Sequence, residues 1–191
     1  FSQKEYNFND IIEMDNGLWT VKFSDEPISG KVYSGFGEVK PFKKVYLGNI
    51  LNGKKEGRWK DYFHSNGKKQ FDKNYKNGKQ DGLGTTWYEN GQKQIEETYK
   101  DGKEDGLWTF WYENGQKERE ETYKDGKEDG LWTFWYENGQ KQTKGTSKDG
   151  KFDGLVTAWF ENGQKQIEVT FKIGKVIYKK QWNKDGSVKN D

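Results

Sequence analysis

The sequence predicts an all-β fold, an elongated antiparallel β-meander or solenoid of 24-residue β-hairpin repeats. Three observations predict it. Glycines recur with one period: Gly67, Gly91, Gly115, Gly139 and Gly163 are spaced by 24, and so are Gly78, Gly102, Gly126, Gly150 and Gly174, and Gly82, Gly106, Gly130 and Gly154. Each period holds one run of aromatic and β-branched residues closed by Asn-Gly; "LWTFWYENGQK" stands at 107–117 and again, unchanged, at 131–141. No window carries a helical hydrophobic period.

Composition agrees with a thin fold. Only 30% of the 191 residues are hydrophobic, 17% of the chain is aromatic, and 34% is charged. Scarce aliphatics would suggest disorder, but disordered chains are poor in rings. The expected core is narrow and built of aromatic side chains. A formal net charge of +2 without a basic stripe argues against a nucleic-acid partner. No apolar run reaches the ~18 residues of a membrane-spanning helix. The absence of cysteine excludes disulfides, thiolate catalysis and cysteine zinc sites. The chain starts at Phe1, and the expectation is that an N-terminal signal has been removed. That points to a secreted or cell-envelope protein, or a cytoplasmic one if it is an antitoxin.

Residues 1–56 read as degenerate repeats and a cap. "NGLWTVKF" (16–23) keeps the strand opening, and "SGKVYSGFGEVK" (29–40) keeps the rhythm of glycine and aromatic. Pro27, Pro41 and an irregular glycine pattern shield the N-terminal sheet edge. Residues 57–174 are the regular repeats. "LWTFWY" is a strand, Asn-Gly suits a two-residue type I′ turn, "QKEREETY" is the return strand, and "KDGKEDG" leads to the next hairpin. The "HSNG" of the first regular unit predicts a longer loop with Gly67 in the left-handed position. Residues 175–191 are a partial repeat and cap. Their Lys175, Lys179, Lys180, Lys184 and Lys189 discourage strand addition at the C-terminal edge, so a monomer is expected.

A two-residue turn at Asn114-Gly115 sets Tyr112 opposite Lys117, Trp111 opposite Glu118, Thr109 opposite Glu120 and Leu107 opposite Thr122. Alternation then gives two faces. One carries Leu107, Thr109, Trp111, Glu118, Glu120 and Thr122. The other carries Trp108, Phe110, Tyr112, Arg119, Glu121 and Tyr123. The first hardly changes between copies (Leu83, Leu107, Leu131, Leu155; Trp87, Trp111, Trp135, Trp159), which predicts a packing spine. The second drifts, and either packs loosely or binds a partner. Its densest stripe, Trp108, Phe110, Tyr112, Trp132, Phe134 and Tyr136, is the candidate partner-binding site, since aromatic anchors dominate binding hot spots. Gly145 and Ser147, where other copies have Glu121 and Tyr123, weaken the expected return strand of the fourth hairpin.

Catalysis needs a singular constellation, and the sequence offers none. His64 is the one histidine and reads as a solvated loop residue. No phosphate-binding glycine loop, dinucleotide fingerprint or HExxH is present. Carboxylates repeat every 24 residues, as a solvated face would, and Glu118, Glu120 and Glu121 read as a strand surface among Lys and Arg. "KDGKEDG" lacks the alternating ligands and distant glutamate of an EF-hand, so no metal is expected. No cofactor is expected either.

The residues Gly106, Leu107, Trp108, Trp111, Tyr112, Asn114, Gly115, Tyr123, Asp125, Gly126 and Lys127, with their counterparts in neighbouring units, resemble the bacterial variant of the MORN (membrane occupation and recognition nexus) repeat. "EPISGKVY" (26–33) looks like the lead-in to such arrays. The resemblance runs over roughly residues 16–186 and is most specific in the middle units. It implies successive antiparallel hairpins, no catalytic residues, and kinship with YwqK-type antitoxin or immunity proteins. The expected function is non-enzymatic binding of a macromolecule, first of all a protein, in an immunity-like, scaffold or adhesion role. The alternative is a cell-wall glycan, choline or phospholipid-headgroup module, since choline- and glucan-binding repeats also stack aromatic hairpins.

Overall fold

A computed structural model describes residues 3–36, 43–63 and 65–189. Pro41 and His64 lie outside the described residues. Their one helical element is the 3-10 turn Phe8–Asp10; everything else regular is strand. The chain divides into two compact units, residues 1–91 with 99–102, and residues 92–98 with 103–191.

In the first unit the strands are β1 (Glu5–Asn7), β2 (Ile11–Glu13), β3 (Trp19–Val21), β4 (Gly30–Phe36), β5 (Lys43–Leu51), β6 (Lys54–Tyr62), β7 (Lys69–Lys76), β8 (Lys79–Gln80) and β9 (Gly82–Trp87). Strands β4 to β7 form an antiparallel meander. Two features depart from the expected run of consecutive antiparallel hairpins. β1 lies parallel to β4, with Glu5 opposite Lys31, and β2 and β3 form a separate antiparallel pair. They close a compact cluster of Ile11, Trp19, Ile28, Val32, Leu47, Ile50 and Trp59. Five aliphatic side chains and two tryptophans are buried together here, so among the described residues the first unit holds a conventional hydrophobic core.

In the second unit β10 (Lys93–Lys100) leads into β11 (Lys103–Glu104), β12 (Gly106–Trp111), β13 (Lys117–Lys124), β14 (Lys127–Trp135), β15 (Lys141–Lys148), β16 (Lys151–Phe152), β17 (Gly154–Trp159), β18 (Lys165–Lys172) and β19 (Lys175–Gln181). β10 pairs antiparallel with β12, β12 with β13, β13 with β14, β14 with β15, β15 with both β16 and β17, β17 with β18 and β18 with β19, a meander with the sequence period. β15 is a full strand despite Gly145 and Ser147.

The two turns of the repeat exchange the roles expected of them. The tight type I′ turn is at Asp-Gly, where Asp125 has φ 51° and Gly126 φ 83° and Lys124 faces Lys127. At "ENGQ" only Gly115 takes positive φ, at 84°. Gly115 N–H donates to the Tyr112 carbonyl (2.9 Å) and Tyr112 N–H to the Gln116 carbonyl (2.9 Å), a type I turn followed by a left-handed glycine. Asn114 is used differently from expectation. Its Oδ1 accepts from Gln116 N–H (2.9 Å), and its Nδ2 donates to the Glu137 carbonyl (3.1 Å), one repeat on. The extra loop residue shifts the register, so Trp111 faces Lys117 and not Glu118, while Thr109–Glu120 and Leu107–Thr122 pair as expected.

Candidate functional site

The register places the drifting residues in transverse rows across the second unit. One row runs Phe110, Arg119, Phe134, Thr143, Ala158 and Ile167. The next runs Trp108, Glu121, Trp132, Gly145, Val156 and Val169. In each row a charge stands between two rings over the first three positions, Phe110–Arg119–Phe134 and Trp108–Glu121–Trp132. The Arg119 guanidinium lies 3.8 Å from the Phe110 ring centroid, and the Phe134 ring is 5.8 Å from that of Trp132.

Burial reverses the expected assignment of the two faces. Trp108 and Trp132 are each 7% exposed, whereas Leu83, Leu107, Leu131 and Leu155 of the supposed spine are 51, 53, 48 and 51% exposed. Only the spine threonines, Thr85, Thr109, Thr133 and Thr157, are buried. The reason is ring area. A tryptophan on the drifting face meets rings of its own and neighbouring strands, as Trp108 does with Tyr123 at 5.4 Å and Trp132 with Phe152 at 5.4 Å. On the uniform face Trp87, Trp111 and Trp135 each have a lysine over the ring. Lys93 lies over Trp111 (5.4 Å) and Lys117 over Trp135 (5.8 Å), each also paired with a glutamate three residues on, Glu96 and Glu120. An aliphatic stem covers a ring without a second layer of protein, and the leucines between stay open. Uniformity there reflects a surface motif repeated unit by unit.

Of the candidate residues, Trp108 and Trp132 form the floor, and Phe110, Phe134, Tyr112 and Tyr136 are half-buried. The Tyr112 and Tyr136 hydroxyls donate to the carbonyls of Trp135 and Trp159 (2.8 Å each), tying each loop to the following hairpin.

Sequence reasoning missed a row of carboxylates. Glu121, expected on a solvated surface, is 5% exposed, and Glu97 is 4% exposed. The Tyr123 hydroxyl donates to Glu121 (3.0 Å), and Arg119 Nη1 stands 3.5 Å from it. Burial raises the Glu104 carboxyl above the ordinary glutamate range, as do the charges of Glu121, Glu97 and Glu128. Burial and the same hydrogen bond with Glu121 push the Tyr123 phenol strongly upward. The signal was in the register: Glu121 faces Trp108 on one side and Trp132 on the other. Among the described residues no group of three or more His, Asp or Glu side chains is placed to hold a metal ion.

Comparison with known proteins agrees with this geometry. No curated protein matches the chain. The family profile described as "MORN repeat variant" matches residues 80–101, 104–125, 128–149 and 152–172, somewhat less than half of the chain. Each matched block spans one return strand with the first strand before it and ends at or next to an Asp-Gly or Ile-Gly turn, so the regular hairpins are similar to MORN-variant repeats.

Proposed function

We propose that the chain is a non-enzymatic binding protein whose partner is another protein, met on the drifting face of the second unit. The observation that carries this reading is the row Phe110, Arg119, Phe134. Its half-buried rings flank a guanidinium stacked on Phe110, above a floor held by Trp108 and Trp132. Such a surface offers flat apolar area, a fixed cation and little side-chain entropy to lose, which is the composition of protein-binding hot spots. An immunity or antitoxin role, suggested by the family resemblance, fits a module that masks a partner's surface. It is compatible with a secreted, envelope or cytoplasmic setting, and the protein acts as a monomer.

The test is affinity capture of a partner from the native organism by wild type and by Phe110→Ala/Phe134→Ala, with thermal melts of both. The reading expects capture by wild type and loss in a variant that still melts cooperatively. Full retention by the folded variant, or binding of cell-wall glycan, choline or headgroup vesicles at this face instead, would overturn it.

A further inference from the structure

The lysines of the second unit form two classes. Lys93, Lys117 and Lys165 each pair with an acid, Glu96, Glu120 and Glu168, and lie over a tryptophan. The lysines flanking the tight turns do neither. Lys124 faces Lys127, Lys148 faces Lys151 and Lys172 faces Lys175 directly across the ladder. All are exposed, and none makes an ion pair among the described residues. Like charges placed opposite one another destabilise a hairpin, and the Asp-Gly turn chemistry does not require them. A glutamate on either side would stabilise each pair.

Nearby acids are partly taken up by the backbone. Asp129 Oδ2 accepts from Asp149 N–H (3.3 Å), and Asp153 Oδ1 from Ile173 N–H (3.2 Å). Each turn glycine also bonds the preceding unit through its N–H, as Gly150 does to the Glu128 carbonyl and Gly174 to the Phe152 carbonyl (2.8 Å each). The turns are thereby stacked in register, about 9–10 Å apart given two strands per turn. Between them opens a cleft of about 610 Å³ lined by Lys127, Lys148, Lys151 and Lys172, which outnumber its two acids, Asp149 and Asp153.

At its end stands Ile173. Other turns of this kind have Asp or Asn at that position, residues that tolerate a left-handed backbone. Ile173 holds φ 51° with its side chain 68% exposed. A β-branched apolar side chain is thus kept in an unfavourable conformation, in water, at a cleft lined mostly by lysines. Strain of this kind persists at functional positions.

We propose that this turn edge is a second docking surface, separate from the aromatic face, for an extended acidic peptide segment with an apolar anchor. Its ammonium groups take carboxylates, and Ile173 takes the anchor. The spacing favours a polypeptide. A chain in the extended polyproline-II conformation turns every third side chain to the same side and advances about 3.1 Å per residue, about 9 Å per three, so an acid at every third residue meets one turn after another.

The test uses the full chain and a fluorescent peptide of about 12 residues repeating Glu-Ser-Leu, a length that spans the stacked turns at the polyproline-II rise. Wild type should bind it, more weakly as salt rises. Lys148→Gln/Lys151→Gln/Lys172→Gln should weaken binding about tenfold. Ile173→Asp, which restores the usual turn residue, should fold at least as well and also lose affinity. Phe110→Ala/Phe134→Ala should bind the peptide unchanged, so failure here is distinct from failure of the face proposal. No binding by wild type, unchanged affinity in the triple-glutamine variant, or tighter binding of oligo-dT or phosphatidylglycerol vesicles than of the peptide would overturn the proposal.

Discussion

Trp132 lies so close against Gly145 of the neighbouring strand that a Cβ on residue 145 would sit 2.4 Å from Trp132 Cζ2 and 2.8 Å from Val156 Cγ2. Residue 145 takes the place that Glu121 holds one repeat earlier, so the missing side chain is the space the indole occupies. Gly145→Ala should destabilise the protein by about 1–3 kcal/mol, as overpacking does. Paired with Trp132→Phe in thermal melts, the effects should be non-additive, because the smaller ring frees the space. Additive losses would show that the contact is slack.

The reversal of the two faces predicts an asymmetry in truncation. Trp108→Ala should cost about 3–5 kcal/mol, as for a buried ring. Leu107→Ala, on its half-exposed neighbour, should cost under about 1 kcal/mol. Chemical denaturation of the two single variants measures both. Equal losses would restore the uniform face as the spine.

Burial and the neighbouring acids raise the Glu104 carboxyl. A raised folded value means that the stability linked to this proton is fully present below the unfolded glutamate value, about 4.3. It is lost as pH rises through the folded value. Glu104→Gln removes the titration. Melting temperatures of wild type and variant should therefore converge in acid and diverge, with the variant higher, as pH rises above that value. Parallel curves would contradict it.

In the first unit the sign is opposite. Burial alone would raise the Asp72 carboxyl, but hydrogen bonds from Arg58 (2.6 and 2.7 Å) and Lys69 (3.3 Å) hold it below its ordinary value. Its contribution is present above the unfolded aspartate value and lost as pH falls through the depressed one. Asp72→Asn should lower the melting temperature at neutral pH and narrow the gap to wild type in acid. A constant gap would assign the effect to packing.

Ile173→Asp should raise stability by about 1 kcal/mol, because aspartate tolerates the left-handed backbone that isoleucine resists. A lower melting temperature would show that Ile173 packs favourably where it stands.

The sequence by itself determined the β class, the period, the strand positions and most of the register, because period-2 alternation and turn glycines are local properties that each repeat states again. Thr109–Glu120 and Leu107–Thr122 could be paired from the letters alone. Tertiary structure decided what depends on neighbours. Asn-Gly and Asp-Gly are equally good tight-turn dipeptides, and Asn114 left that role because its side chain bridges Gln116 and the next repeat. Strand alternation separates two faces without saying which is covered. Trp108 is buried where Tyr123 packs against it, while the stem of Lys93 lies over the Trp111 ring. The Glu121 side chain went inside for the same reason: Trp108 and Trp132 flank it across the ladder, and Tyr123 and Arg119 supply its polar partners.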